Sequence, residues 1–237
     1  MSDPARPGAG VTEDGRPLQV VTSYARRGSR LNGPQQKAWD AAADRWVLPT
    51  DAVAHETWNQ RRWFGREAPL VVEVGSGDGE SVAALAATRP EQDVLAVEVW
   101  RPGVAGTLRR LLAADVPNVR LVMLDATWLL EHRLPPGSLA EVWTFFPDPW
   151  PKKRHHKRRL VGPRFAGVVA SRLRAGGLWR LATDWPDYAD HAEQTLATVP
   201  ELVGGRTERW AERPVTRFER RGLDAGRPPV DLTYRRV

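Results

Sequence analysis

From Pro69 onward the chain alternates short apolar segments with longer amphipathic ones, and this alternation constrains the fold more than any other feature. The apolar segments have the length and β-branched content of buried strands, whereas the intervening segments repeat apolar residues at helical spacing. The strand-like segments are LVVEVG, DVLAVEV, VRLVMLD, LAEVWTFF and GLWRLATD, and the helical ones are SVAALAATR, GVAGTLRRLLAAD and RFAGVVASRLRA. Such alternation predicts an α/β domain in which helices cover both faces of a parallel sheet.

The last part of the chain departs from this alternation. It reads RWAERPVTRFERRG and then VDLTYRRV, two alternating patterns with no helical pattern between them. This predicts an antiparallel hairpin that closes one edge of the sheet. The strands and helices together define one predicted domain over residues 69–237.

The segments before this domain have a different composition. Residues 1–22 are rich in proline, glycine and charge, which predicts disorder because they offer too little apolar surface to offset the entropy of ordering. Residues 23–68 are predicted to hold a basic arm and then a lead-in helix after Pro34. The arm either docks on the ligand or is simply an amphipathic segment that leads into the domain. Apolar residues of the lead-in helix recur at a spacing of four: Ala38, Ala42 and Trp46.

Positive charge is concentrated in two places. The chain has 35 Lys and Arg against 29 Asp and Glu, a net charge of +6. Residues 145–174 contain nine Lys or Arg against one acid, and residues 23–37 contain four against none. An even distribution would indicate only a soluble basic protein, whereas clusters predict a polyanionic partner, because phosphate contacts release counterions.

The absence of cysteine excludes several kinds of chemistry. With none in the sequence, disulfides, zinc–thiolate sites and cysteine nucleophiles cannot form. The N-terminus lacks the apolar core of a signal peptide, and no run approaches the roughly 18 apolar residues that a membrane helix needs. We therefore expect a cytoplasmic protein with no membrane partner.

Three glycines follow the first predicted strand in the stretch EVGSGDGES. Gly75, Gly77 and Gly79 lie where a strand turns into a helix, a position where glycine lets the backbone approach a ligand. A tight structural turn is the alternative. A dinucleotide fingerprint would place its third glycine at position 80, which is Glu80, and the Gly-Lys-Ser/Thr ending of a P-loop is absent. The remaining common ligand of this shape is S-adenosylmethionine.

Three acids lie near the carboxyl ends of the first three strands. Glu73 precedes the glycine loop, Glu98 follows the second strand and Asp125 follows the third. S-adenosylmethionine carries no phosphate, so carboxylates can face its sulfonium, ammonium and ribose without repulsion; we expect Glu98 at the ribose and Asp125 near the adenine. Each acid could instead be a surface residue at a strand end.

The fourth strand ends in FFPDPW, which places Asp148 at the same edge of the sheet. Pro147 and Pro149 restrict the backbone around this carboxylate. A rigid structural loop is the alternative, and for Phe145 and Phe146 we favour packing in the core. For Asp148 and Trp150 we favour a role at the substrate end of a methyl-donor site.

These motifs together resemble a known family. The chain contains, in order, EVGSGDG, LAVEVWRPGVAG, FPDPWPKKRHHKRR, ATDWPDYADH and RPVTRFERRG, and from about Ser23 to its C-terminus it is similar to the bacterial tRNA (guanine-N7-)-methyltransferases. The resemblance implies a Rossmann-like S-adenosylmethionine-dependent methyltransferase fold with a mostly parallel seven-stranded sheet. It implies methylation of a tRNA guanine at N7, at position 46 in the variable loop. The most specific part is FPDPWPKKRHHKRR.

The resemblance also implies roles for individual residues. The S-adenosylmethionine contacts would be Glu73, Gly75, Gly77, Glu98, Asp125, Ala126 and Asp148. The catalytic residue would be Asp148. The substrate-binding residues would be Lys152, Asp184, Thr216, Arg217, Phe218 and Glu219. Arg217 stands where lysine is often found, which keeps the charge but changes the geometry.

The chemistry at guanine N7 is consistent with these residue types. N7 carries an in-plane lone pair and no proton, so attack on a sulfonium methyl needs no base and no metal ion. Two alternatives stay open: a methyltransferase of an exocyclic amine of a base, and a non-catalytic RNA-binding protein with the same fold. Besides tRNA, the sequence indicates no obligate protein partner, and the chain is either a monomer or a homodimer.

Overall fold

A computed structural model describes residues 23–24 and 28–237, so the predicted disorder of residues 1–22 lies outside the described part. The strands are β1 (Leu70–Val74), β2 (Asp93–Val97), β3 (Val119–Val122), β4 (Leu139–Phe145), β5 (Leu173–Thr183), β6 (Leu202–Thr207) and β7 (Val230–Arg236). The helices are α1 (Gly33–Trp46), α2 (Thr50–His55), α3 (Gln60–Phe64), α4 (Glu80–Ala87), α5 (Arg101–Ala114), α6 (Ala126–His132), α7 (Pro163–Arg172), α8 (Pro186–Leu196) and α9 (Arg217–Asp224). A 3₁₀ helix covers Lys153–Arg158.

Within the described residues, these strands form one seven-stranded sheet in the order β3-β2-β1-β4-β5-β7-β6. The first five strands pair in parallel, and β7 runs antiparallel to both β5 and β6. The predicted fold class, a mostly parallel sheet with an antiparallel C-terminal edge, is confirmed.

Apolar side chains pack on both faces of the sheet. Along β1, Leu70 and Val72 belong to one buried cluster, and Val71, whose side chain points to the opposite face, belongs to a second. Residues of α7 and α8 complete the first cluster, and residues of α1, α4 and α5 complete the second. The predicted placement of helices on both faces is therefore confirmed.

The lead-in helix α1 forms as the sequence predicts. Asn32 caps it by accepting a hydrogen bond from the Gln35 amide, and the Gln35 side chain accepts one from the Asn32 amide. The three apolar residues at a spacing of four, Ala38, Ala42 and Trp46, are all buried. Among the described residues, no helix is both long and apolar enough to cross a membrane.

The C-terminal region differs from the prediction in its details. At the sheet edge, β7 pairs with β6, which ends at Thr207, whereas the prediction used residues 209–222 for this strand. The prediction that no helix separates the two strands is wrong, since α9 lies between them. Thr216 caps this helix by accepting a hydrogen bond from the Glu219 amide, so the Thr-x-x-Glu capping pattern was the overlooked signal. Helices α2, α3, α6 and α8 were also not predicted.

The strand order places a crevice beside β1. The chain runs outward from β1 to β3 and then returns to the other side of β1 with β4. In open parallel sheets, ligands bind at this switch point, outside the carboxyl ends of the strands. The segments that follow β1 and β4 therefore face each other across the expected site.

Candidate active site at the carboxyl edge of the sheet

The glycine loop after β1 has the backbone that its sequence predicts. Gly75 and Gly77 have φ angles of 73° and 57°, in the left-handed region that favours glycine. A Cβ added at either residue would meet no described atom within 4 Å, so both face open space. Helix α5 supports the loop from behind, where a Cβ on Gly103 would lie 2.6 Å from the Gly77 carbonyl oxygen.

Glu73 lies beneath this loop with its carboxyl group buried. Its Oε2 atom has no hydrogen-bond partner among the described residues, and the same holds for the Oγ atom of Ser76 in the loop. Burial raises the pKa of Glu73 to about 8, and the charge of Glu98 adds to the rise. Two buried polar atoms at the glycine loop are therefore still able to bind a ligand.

Glu98 joins the end of β2 to the glycine loop. Its Oε2 atom accepts a hydrogen bond of 2.8 Å from the Gly77 amide, and its Oε1 atom accepts one of 2.8 Å from the Trp100 amide. A carboxylate can accept further bonds through its other lone pairs. Glu98 thus holds the loop in place and keeps acceptor capacity for a ligand.

Asp125 follows β3 and begins α6. Its Oδ1 atom accepts a hydrogen bond of 3.0 Å from the Trp128 amide, which makes Asp125 the helix cap. Ala126 is the first residue of this helix, and both residues are partly buried. The cap fixes the backbone at the position where the sequence predicts that the adenine binds.

The loop that carries Asp148 is held firmly at both ends. Phe146 and Trp150 have φ angles of 52° and 46°, a region that bulky residues rarely adopt. The Phe146 amide donates to the Ala182 carbonyl oxygen at 2.7 Å, and Arg159 Nε donates to the Pro149 carbonyl oxygen at 3.1 Å. Asp148 is therefore a partly buried carboxylate on a restrained backbone beside the glycine loop.

The basic segment after Asp148 divides into an outer and an inner part. The outer cations are exposed to solvent: Lys152, Lys153, Arg154 and Lys157. Arg158 lies over the Trp150 ring, with its Cζ atom 4.3 Å from the ring centroid. Arg159 is buried and pairs with Asp187 of α8. The outer four face solvent and can reach a polyanion, whereas Arg159 stabilises the Asp148 loop through its hydrogen bond to the Pro149 carbonyl oxygen.

Helix α9 lies across the carboxyl edge and contacts both loops. The Arg217 amide donates to Glu80, and the Arg217 Nη2 atom lies 3.1 Å from Asp78 Oδ2, so the start of α9 is joined to the glycine loop. The Phe218 ring is 51% exposed and packs 5.4 Å from the ring of Phe146. Arg217 and Phe218 are thereby brought to the site that the sequence predicts.

Three other predicted substrate-binding residues are buried in contacts with the protein itself. Asp184 Oδ2 accepts a hydrogen bond of 2.9 Å from Arg227 Nε. Glu219 is 1% exposed and pairs with Arg209 and Arg213. Thr216 caps α9. The arginines in these contacts were not singled out in the sequence, where no local pattern indicates such distant partners.

Two tryptophans hold the segment that precedes α1. The Trp150 Nε1 atom donates to the Ser23 carbonyl oxygen, and the Trp100 Nε1 atom donates to the Gly28 carbonyl oxygen, both at 2.9 Å. Each tryptophan lies two residues after a site carboxylate, Glu98 or Asp148. These contacts give both indoles a structural role and bring Ser23 and Gly28 to the carboxyl edge.

Comparisons with known proteins agree with this site. The profile of a family described as "Putative methyltransferase" matches residues 67–232. A protein of Nocardioides sp. named tRNA (guanine-N(7)-)-methyltransferase is 57% identical over 233 residues, which cover 98% of this chain and 94% of the relative. A protein of the same name from Cutibacterium acnes is 48% identical over 243 residues, covering 97% and 88%.

The fold also matches solved structures at low sequence identity. The crystal structure of the 16S rRNA methyltransferase KamB superposes with a TM-score of 0.53 and 19% identity, covering 77% of this chain and 95% of the other. At this identity the likeness concerns the fold alone. It agrees with the α/β fold described above.

Proposed function

The chain belongs to the tRNA (guanine-N7-)-methyltransferase family, and on this premise we propose that it transfers a methyl group from S-adenosylmethionine to N7 of a guanine in tRNA. The observation that carries the proposal is the pairing, across the switch point, of a glycine loop with free polar atoms and a restrained Asp148 flanked by exposed cations. We further propose position 46 of the variable loop as the target, by the family resemblance.

The residues of the glycine loop fit S-adenosylmethionine. Glu73 Oε2 and Ser76 Oγ have no hydrogen-bond partner among the described residues, and the glycines of the same loop face open space. Glu98 offers a carboxylate to ribose hydroxyls. The carboxylates of Glu98, Asp125 and Asp148 provide negative charge that favours a ligand with a sulfonium and an ammonium group. Bound S-adenosylmethionine would supply an electrophilic methyl group.

At the other side of the crevice, Asp148 would orient the base. Guanine N7 is already nucleophilic, so the protein has no proton to remove and the proposal includes no metal ion. The carboxylate would accept hydrogen bonds from the Watson–Crick edge and oppose the positive charge that develops on the purine. Holding the reacting atoms in line is typically worth about 7 to 11 kcal/mol.

The exposed cations beside Asp148 would bind the tRNA backbone. A base in folded tRNA must be unstacked before it can react, which costs about a few kcal/mol, and phosphate contacts can offset this cost. We propose that Lys152, Lys153, Arg154 and Lys157 make these contacts. We also propose that the protein acts in the cytoplasm as a monomer or homodimer, with no obligate protein partner.

One assay tests the proposed reaction. The purified protein is incubated with labelled S-adenosylmethionine and tRNA, and the digested product is identified by mass and by its lability in alkali. We expect 7-methylguanosine, and no label in a tRNA transcript with adenosine at position 46. An alkali-stable methylated base would indicate exocyclic-amine methylation, and tRNA binding without transfer would indicate a non-catalytic RNA-binding protein.

Substitution of Glu98 tests the donor site. In Glu98→Gln the side chain has one acceptor atom in place of two. It therefore cannot accept hydrogen bonds from the Gly77 amide, the Trp100 amide and the ribose hydroxyls together. Each charge-assisted hydrogen bond is worth about 1.5 to 3 kcal/mol, so S-adenosylmethionine affinity should fall about 10- to 100-fold. Calorimetry measures this change. The exposed Glu91, mutated to Gln as a control, should leave affinity unchanged.

The raised pKa of Glu73 makes donor binding depend on pH. Because its pKa is about 8 in the donor-free protein, this carboxyl is protonated at pH 7. A cationic ligand favours the ionised form, so binding at pH 7 should release about one proton. Affinity should therefore rise with pH by up to about tenfold per unit between about pH 6 and pH 8.

Calorimetry in two buffers of different ionisation enthalpy counts the released protons. The unaltered protein should release about one proton at pH 7, and Glu73→Gln should release none from this site. Equal proton release by both proteins would remove Glu73 from the ligand site.

A further inference from the structure

Arg213 lies at the centre of a buried charge cluster under the Asp148 loop. Its side chain is fully buried and donates through Nη1 to Glu219 Oε2 at 2.6 Å and through Nη2 to Asp231 Oδ1 at 2.7 Å. Arg209 donates a further bond to Glu219 at 2.8 Å. The two carboxylates come from α9 and β7, so one planar guanidinium is fixed in orientation by two separate elements.

The guanidinium of Arg213 faces the aromatic residues that begin the Asp148 loop. Its Cζ atom lies 5.6 Å from the Phe145 ring centroid and 5.1 Å from the Phe146 ring centroid. Its Nε atom has no hydrogen-bond partner among the described residues. The cation therefore contacts the two rings directly, at the point where β4 ends and the loop begins.

Phe146 needs such a contact because its backbone is strained. A non-glycine residue with a φ of 52° persists only where its surroundings determine the conformation. Three contacts hold it: the hydrogen bond from its amide to the Ala182 carbonyl oxygen, the exposed Phe218 ring on one side and the buried Arg213 on the other. Pro147 follows directly, and its fixed φ leaves the backbone little freedom. The conformation of Phe146 therefore determines the position of Asp148.

We infer that Arg213 is a positioning residue for methyl transfer, which fixes Phe146 and through it the carboxylate of Asp148. The inference rests on the proposed role of Asp148. A buried ion cluster often stabilises a fold no better than apolar residues would, so fixed orientation is the physical advantage of an arginine here. Because Arg213 is buried, we expect its effect to appear in turnover rather than in binding.

The test compares two variants in single-turnover assays with saturating tRNA and S-adenosylmethionine. Arg213→Lys keeps the charge but loses the planar fork, and Phe146→Leu leaves the charge cluster intact but removes the ring. A small displacement of a reacting group can lower the rate about 100-fold, so we expect both variants to be about 10- to 100-fold slower. Their dissociation constants for tRNA and S-adenosylhomocysteine should stay within about threefold of the unaltered protein.

Arg66→Lys is the matched control. Arg66 donates at 2.7 Å to the buried carboxylate of Asp93, at the amino end of β2 and away from the site. Arg66 itself is exposed, so this variant weakens an arginine contact to a buried carboxylate outside the site and should keep the normal transfer rate. If Arg213→Lys fails to fold, Phe146→Leu decides the question.

Normal single-turnover rates for the variants would overturn the inference, as would a slow Arg213→Lys beside a normal Phe146→Leu. Weakened binding of both ligands in parallel with the reduced rate would show a merely structural role and would also overturn it. If the unaltered protein forms no 7-methylguanosine, the proposed function fails, and this inference with it. If all proteins form it at equal rates, only this inference fails.

Discussion

Asp148→Asn should lower the rate of methyl transfer by on the order of 100-fold or more, the scale seen when one preorganised electrostatic contact is removed. Asparagine keeps nearly the same volume but loses the negative charge and replaces one acceptor with a donor. Affinity for tRNA should change little, since the neighbouring exposed cations dominate it. The rate of 7-methylguanosine formation and the tRNA dissociation constant are the two measurements.

The same variant should remain folded. Asp148 is partly exposed, and its loop is held by Phe146, Trp150 and the hydrogen bond from Arg159 to the Pro149 carbonyl oxygen, none of which the substitution removes. Asp115→Asn is a suitable control because this exposed acid lies after α5, away from the site. Near-normal transfer by Asp148→Asn would reduce Asp148 to a loop residue, and a collapsed melting temperature would show a structural role.

The sequence predicted the sheet and the site edge because both depend on local patterns. Strand and helix periodicities can be identified within a few residues, and the carboxyl ends of parallel strands must share one edge. Glu73, Glu98, Asp125 and Asp148 were therefore assigned to one edge from their positions alone, and the strand order agrees.

The pairing of buried charges could not be predicted in the same way. Asp184 pairs with Arg227, 43 residues away, and Glu219 pairs with two arginines in a loop that covers the sheet. Such partners depend on how distant segments pack, which no short pattern specifies. Arg159 illustrates the same difficulty: it ends a basic run of exposed neighbours, yet it is buried against α8.

The second large effect should follow from changing three exposed cations together. Replacing Lys153, Arg154 and Lys157 with alanine should weaken tRNA binding by on the order of 100-fold at moderate salt, because each phosphate that is no longer bound keeps its counterions. The slope of log affinity against log salt concentration should become shallower by up to about 0.9 for each such phosphate. A binding titration at several salt concentrations measures both quantities.

A matched control removes three exposed arginines at the opposite, amino edge of the sheet: Arg61, Arg174 and Arg235. This triple variant has the same net charge as the first, so it should show any general effect of charge on tRNA attraction and keep nearly the full salt slope. Equal slopes in the two triple variants would mean that tRNA responds only to overall charge. Arg158 and Arg159 are left unchanged in both, because they hold Trp150 and the Pro149 carbonyl group in place, and altering them would displace Asp148 along with the cations.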